Sequence, residues 1–203
     1  MKIIILCCTI FIIFGCNKEV STPNTPIPKV TFSVDSVLNP SGTQSITLDN
    51  NGYYHLPIDN SKFQTLARIT GKFLVDGKPT QTPSAVVGRI SWESDHYWLL
   101  NAGDTTAQIV YTYFNYYQNK LVTASLGYMK AQSNQLIPTI NSASYPDTND
   151  GSVNTMFAPV YKMKGDTINV TAKAIYTMEI KNSNLFSDVK VDSIQKVIKI
   201  ICD

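Results

Sequence analysis

The sequence predicts an all-β protein, an antiparallel β-sandwich of immunoglobulin-like or jelly-roll-like build, with two small halves as the alternative arrangement. Three observations carry this expectation. From Val30 onward apolar residues recur with period two, not with the helical 3.6. The residues that recur are Val, Ile, Thr, Tyr and Phe, whose branched or aromatic side chains fit a pleated surface. Glycine-containing turn pairs interrupt the pattern at short intervals, as sandwiches require.

The chain opens with MKIIILCCTIFIIFG, in which Lys2 precedes an uncharged apolar run from Ile3 to Phe14. A positive start followed by a hydrophobic stretch is the layout of an export signal. A helix of that length spans roughly 20 Å, short of the ~30 Å hydrocarbon core, so the segment reads as removed and not as a permanent span. Ile13 is too large for an ordinary cleavage site ahead of residue 16. The run Ile13-Phe14-Gly15-Cys16 instead resembles the lipobox of bacterial lipoproteins, with Phe14 bulkier than the usual occupant. The resemblance implies that Cys16 becomes the lipidated first residue, carrying diacylglycerol on its sulfur and often a third acyl chain on its amine. At ~0.8 kcal/mol per buried CH₂, two or three chains make a durable anchor. The implied address is the bacterial cell envelope, with the outer membrane as the expected partner of the anchor.

Residues 17–29, NKEVSTPNTPIPK, hold three prolines and almost nothing apolar, so with Cys16 they form an extended tether. Removing 15 of 203 residues leaves 188, enough for one sizeable domain. One sandwich over 30–203 is expected, with a sub-boundary near Asn101 if the domain is double. Lys2 is the only one of the 17 basic residues to leave with the signal, so 16 basic residues face 15 acidic ones. That balance gives no electrostatic reason to expect nucleic acid as a partner. Cys7 and Cys8 leave with the signal and Cys16 carries lipid, so Cys202 stands alone. The fold must then hold without an intramolecular disulfide.

Val30, Phe32 and Val34 alternate with Thr31, Ser33 and Asp35 in a first strand. Phe73 to Val75 and Thr80 flank Asp76-Gly77-Lys78-Pro79, a hairpin signal. Asn51-Gly52, Gly103-Asp104, Asp150-Gly151 and Gly165-Asp166 mark further turns. Residues 131–155 are polar and hold Pro138, Pro146 and Gly151, which predicts long loops. Ile168, Val170, Ala172, Ala174 and Tyr176 form one face of a strand. Ile194, Ile198, Ile200 and Cys202 share a parity broken only at Lys196. In all, nine to eleven short strands are expected, and no long amphipathic helix. Lys164-Gly165-Asp166-Thr167-Ile168-Asn169-Val170 resembles the turn and strand of bacterial extracellular immunoglobulin-like modules. The likeness covers seven residues.

Local chemistry is sparse. His55 and His96 are the only imidazoles. Ser94, Asp95 and His96 adjoin, but strand alternation puts Asp95 opposite the other two, whereas a hydrolase triad needs Asp, His and Ser in series. No catalytic residues are therefore expected. Asp147, Asn149 and Asp150 ahead of Gly151 form a partial calcium-loop pattern that lacks one spacer and has Phe157 in place of the glutamate. Neither a metal nor a cofactor is expected. Paired carboxylates such as Glu93 and Glu179 keep a hydrolase as an alternative.

The aromatic run from Tyr111 to Tyr117 places Tyr111, Tyr113 and Tyr117 on one face of a strand and Phe114 and Tyr116 on the other. Exposed Tyr and Trp platforms stack on sugar rings and anchor protein interfaces. The leading expectation is a non-catalytic, lipid-anchored binding or scaffolding protein of the envelope. Its partner is a glycan, as in nutrient uptake, or another envelope protein. For a glycan the stacking surface is Tyr111, Tyr113, Trp92 and Trp98. A purely structural subunit would instead offer an apolar patch or an open edge strand, and the C-terminal strand is the place to look.

Overall fold

The structure, a computed structural model, describes residues 27–80, 86–104, 110–115, 120–125, 130–181 and 187–203, with backbone alone for 87, 110–115, 120–125, 180, 181 and 187. Its strands are β1 (Val30–Leu38), β2 (Thr47–Leu48), β3 (Tyr53–Leu56), β4 (Ala67–Val75), β5 (Val86–Ser94), β6 (Tyr97–Leu100), β7 (Val110–Asn115), β8 (Lys120–Ser125), β9 (Gln135–Pro138), β10 (Asn141–Ser144), β11 (Ser152–Phe157), β12 (Thr167–Lys181) and β13 (Ser187–Cys202). The only helical element among the described residues is one 3-10 turn, Tyr161–Met163. Cys16 and the tether up to residue 26 lie outside the described residues, as do Tyr116 and Tyr117.

The molecule is an all-β sandwich, open at its edges and not a closed barrel. One layer is a six-stranded sheet in the order β10-β5-β12-β13-β3-β2, and the other is β1-β4-β11. Two ribbons, β6-β9 and β7-β8, complete it. The core lies between the layers and is built by the predicted alternation. Ile168, Val170, Ala172 and Ala174 are fully buried, with Tyr176 nearly so, while Ile198, Ile200 and Cys202 continue the same face on β13. Lys196 escapes to solvent beyond them. In β1 a register shift between Val34 and Ser36 moves the buried parity from Phe32 to Val37, so one strand serves the core with two phases.

Close contact between the layers depends on a small residue. A Cβ at Gly88 of β5 would lie 2.6 Å from Cζ of Phe73 on β4, whose ring packs edge-on to Tyr176 at 6.0 Å. Beside it Trp92 is fully buried, donates from Nε1 to Ser144 Oγ at 2.8 Å and meets Phe32 edge-on at 6.4 Å.

Several expectations need correction. The pairing is antiparallel as expected except at one place in the six-stranded sheet, where β3 runs parallel to the end of β13, from Tyr53 opposite Lys199 to Leu56 opposite Cys202. Asp76 and Gly77 do make a tight turn, both at positive φ (51° and 75°), but it closes only Val75 on Lys78. β4 and β5 belong to different sheets, so the turn is not a hairpin between them. Residues 131–155 hold β9, β10 and the start of β11, short strands that pair at sheet margins or in a ribbon, where Pro138 can end a strand without losing a ladder bond. β12 and β13, of 15 and 16 residues, are not short. The six-stranded sheet takes β2, β3 and β5 from before Asn101 and β10, β12 and β13 from after it, so that boundary divides neither the sheet nor the core.

Candidate functional site

A cleft of about 380 Å³ opens where three connections meet. The β3–β4 loop supplies Phe63, the β5–β6 turn and β6 supply His96 to Leu99, and the stretch between β11 and β12 supplies Val160 to Met163 and Asp166. Backbone bonds tie these walls together: Tyr161 N donates to Phe63 O at 3.1 Å, Thr65 N to Pro159 O at 3.0 Å, and Asp95 N in the β5–β6 turn to Asn169 O of β12 at 3.2 Å. Gln64 Nε2 adds a bond to Ala158 O at 3.2 Å. The walls are therefore set before any ligand arrives.

The lining is aromatic with a polar margin. Phe63 meets Trp98 edge-on at 5.2 Å and Tyr161 at 6.3 Å. Trp98 is only 7% exposed and forms the inner wall, whereas Phe63 and Tyr161 stand 45% and 39% exposed. The buried Trp98 Nε1 has no hydrogen-bond partner among the described residues. Lys162, Asp166, Asn101 and His96 supply the polar groups. Volume and composition match small-molecule sites, which run ~300–1,000 Å³ and combine apolar walls with a few polar groups.

His96 is held in place. Its Nδ1 contacts Asp95 Oδ1 at 2.7 Å, and the Asp95 carboxylate in turn accepts from Asn169 N at 2.9 Å and Asn169 Nδ2 at 2.7 Å. Burial pushes the Asp95 carboxyl up, but these bonds from His96 and Asn169 outweigh it and hold the group below its ordinary value. With Nδ1 engaged, Nε2 is the ring nitrogen left for a ligand. The expectation that Asp95 faces away from His96 fails because the chain turns there, between β5 and β6, and strand alternation no longer applies. Ser94 is not part of a triad. Its hydroxyl donates to the backbone carbonyl of His96 at 3.1 Å and accepts from Thr139 Oγ1 at 2.6 Å.

Of the four residues expected to stack on a glycan, Trp98 lines the cleft. Trp92 does not: with no exposed surface and its Nε1 bonded to Ser144, it is a core residue. Tyr111 and Tyr113 sit in β7 opposite Ala124 and Val122, and their side chains lie outside what is described. Asp147, Asn149 and Asp150 form a turn in which Asp147 Oδ1 caps Asn149 N at 2.7 Å and Asp150 Oδ1 caps Ser152 N at 2.8 Å. Among the described residues no three His, Cys, Asp or Glu side chains converge as a metal cluster. Glu93 pairs with Thr171 and Glu179 stands eight residues further along β12, on the same outer face and about 26 Å away. That spacing is too wide for paired glycosidase carboxylates.

A second histidine cluster lies on the opposite margin of the sheet. His55 Nδ1 contacts Asp203 Oδ2 at 2.8 Å and Nε2 contacts Asp49 Oδ2 at 3.5 Å, so the imidazole clamps the β2–β3 hairpin to the end of β13.

Phe63 and Tyr161 escaped sequence reasoning, since no periodic pattern marks an aromatic in a loop. The faint signal for Phe63 is a large ring inside the polar turn Asp59-Asn60-Ser61-Lys62. No protein-family model matches the chain, and comparison with curated proteins and with solved structures returned no match.

Proposed function

We propose that the chain is a lipid-anchored binding protein of the bacterial cell envelope that captures a glycan in the Phe63–Trp98–Tyr161 cleft without cleaving it. The observation that carries this reading is the pre-tied aromatic cleft with His96, Asn101, Lys162 and Asp166 at its margin. Sugar rings offer apolar C–H faces to aromatic surfaces and hydroxyls to such polar groups. Binding is favoured over hydrolysis because the hydroxyl nearest His96 in sequence is turned onto its carbonyl, and Glu93 and Glu179 stand far apart. The sequence around Cys16 supports the anchor, and the proline-rich tether supports a domain held clear of the membrane.

Retention on immobilised polysaccharides of glucose, xylose, mannose and N-acetylglucosamine tests the reading. Phe63→Ala and Tyr161→Ala should each weaken retention about tenfold with thermal unfolding unchanged, since both rings are half-exposed. Equal retention by both variants, or release of shortened sugars by the parent chain, rejects it. Cys16→Ser should move the protein from the membrane fraction to the soluble one.

A further inference from the structure

The C-terminal strand leaves an edge open. β13 pairs along its whole length with β12, but on its other side β3 covers only Lys199 to Cys202. Among the described residues, 189–198 meet no strand there, and Val189, Val191 and Val197 are 69%, 63% and 53% exposed. A free strand edge is a template for another strand. Natural edges are often blunted by lysine, and Lys190 and Lys196 lie on this one. Lys190, however, is paired within the strand to Asp192 at 3.3 Å, and that pair has a two-fold property.

We infer that β13 pairs with β13 of a second copy of this chain, antiparallel about Val191, extending the six-stranded sheet across a two-fold axis. A two-fold perpendicular to the sheet keeps each face on its own side, so only registers centred on a residue are allowed. Centring on Lys190 sets Lys190 against its own copy and Asp188 against Asp192. Centring on Asp192 sets that carboxylate against itself. Centring on Val191 sets Lys190 opposite Asp192 of the second copy, and the reverse, so two cross-strand ion pairs join the one already within each strand. Val191 meets Val191 on the outer face. The register also stays clear of β3, which pairs with β13 only from Lys199 onward. Strand addition needs no pocket, so the inference stands apart from the glycan reading.

Disulfide capture in membranes carrying the full chain tests it. Relative to the unsubstituted chain, Val191→Cys should yield a linked dimer on mild oxidation. Val197→Cys, also exposed but about 40 Å from its own copy in this register, should not. Cys202 stays silent, being fully buried with its thiol pushed up to about 12 by burial and by Asp166 and Asp203. In sedimentation of the full chain in detergent, Lys190→Asp should weaken self-association roughly tenfold, and adding Asp192→Lys should restore it. That rescue separates pairing from misfolding. A monomer at every concentration, Val191→Cys linking no better than Val197→Cys or linking to a different protein, or no rescue by the charge swap overturns the inference.

Discussion

Single side chains contribute to two properties of this molecule, the specificity of its core and its response to pH. Trp92 spans the sandwich with its ring in the core and its Nε1 on Ser144. Trp92→Ala should cost about 3–5 kcal/mol by urea unfolding, the range for emptying a large aromatic site. Trp92→Phe should cost less, about 1–3 kcal/mol, mainly by leaving the Ser144 hydroxyl buried and unpaired. His55 contributes to the alkaline side of the pH response. Hydrogen bonding to Asp203 first, and to Asp49, outweighs desolvation and raises the imidazole above 6.5. A raised histidine contributes stability that is complete below 6.5 and is lost as pH rises through its higher folded value. Asp49 is lowered from 3.8, first by the Tyr53 backbone N–H, so its contribution is present above 3.8 and is lost as pH falls through the lower folded value. The melting temperature should therefore be highest between these limits and decline on the alkaline side. In His55→Gln the alkaline decline should flatten; an unchanged decline would place its origin elsewhere.

At the scale of elements, the pattern of period two was a faithful guide wherever one face of a strand is dry and the other wet. Arg89, Ser91 and Glu93 alternate with Ile90 and Trp92, a pattern that marks Trp92 as buried and that its assignment to an exposed stacking surface ignored. β6 was not legible in this way, because Tyr97 and Leu99 are as apolar as Trp98 and Leu100 although only the second pair is buried. The parallel pairing of β3 with β13 was also hidden, since it joins segments nearly 150 residues apart whose local sequence carries no sign of direction. Gly88 illustrates a readable signal of another kind: glycine inside a strand marks a close approach, here of the Phe73 ring. Gly88→Ala should destabilise by about 1–3 kcal/mol through overpacking. Phe73→Leu in the same chain should recover part of that loss, and strict additivity of the two costs would contradict the contact.

At the scale of the whole molecule, the sandwich brings three connections from distant parts of the chain to one end and ties them by backbone bonds before any ligand is present. The cleft was illegible for that reason. Trp98 could be nominated as an aromatic, but its neighbours Phe63 and Tyr161 come from other loops and only the fold makes them neighbours. The two tryptophans divide cleanly between the scales, Trp92 in the core and Trp98 on the cleft wall. Because the chain has only these two, its NMR spectrum holds two indole N–H signals, and Trp92→Phe assigns them. Titration with the soluble oligosaccharides of whichever polysaccharide retains the protein is the most direct test of glycan capture. The predicted result is a saturable shift of the Trp98 indole signal with the Trp92 signal unmoved; a bound oligosaccharide that leaves Trp98 unshifted would contradict the account.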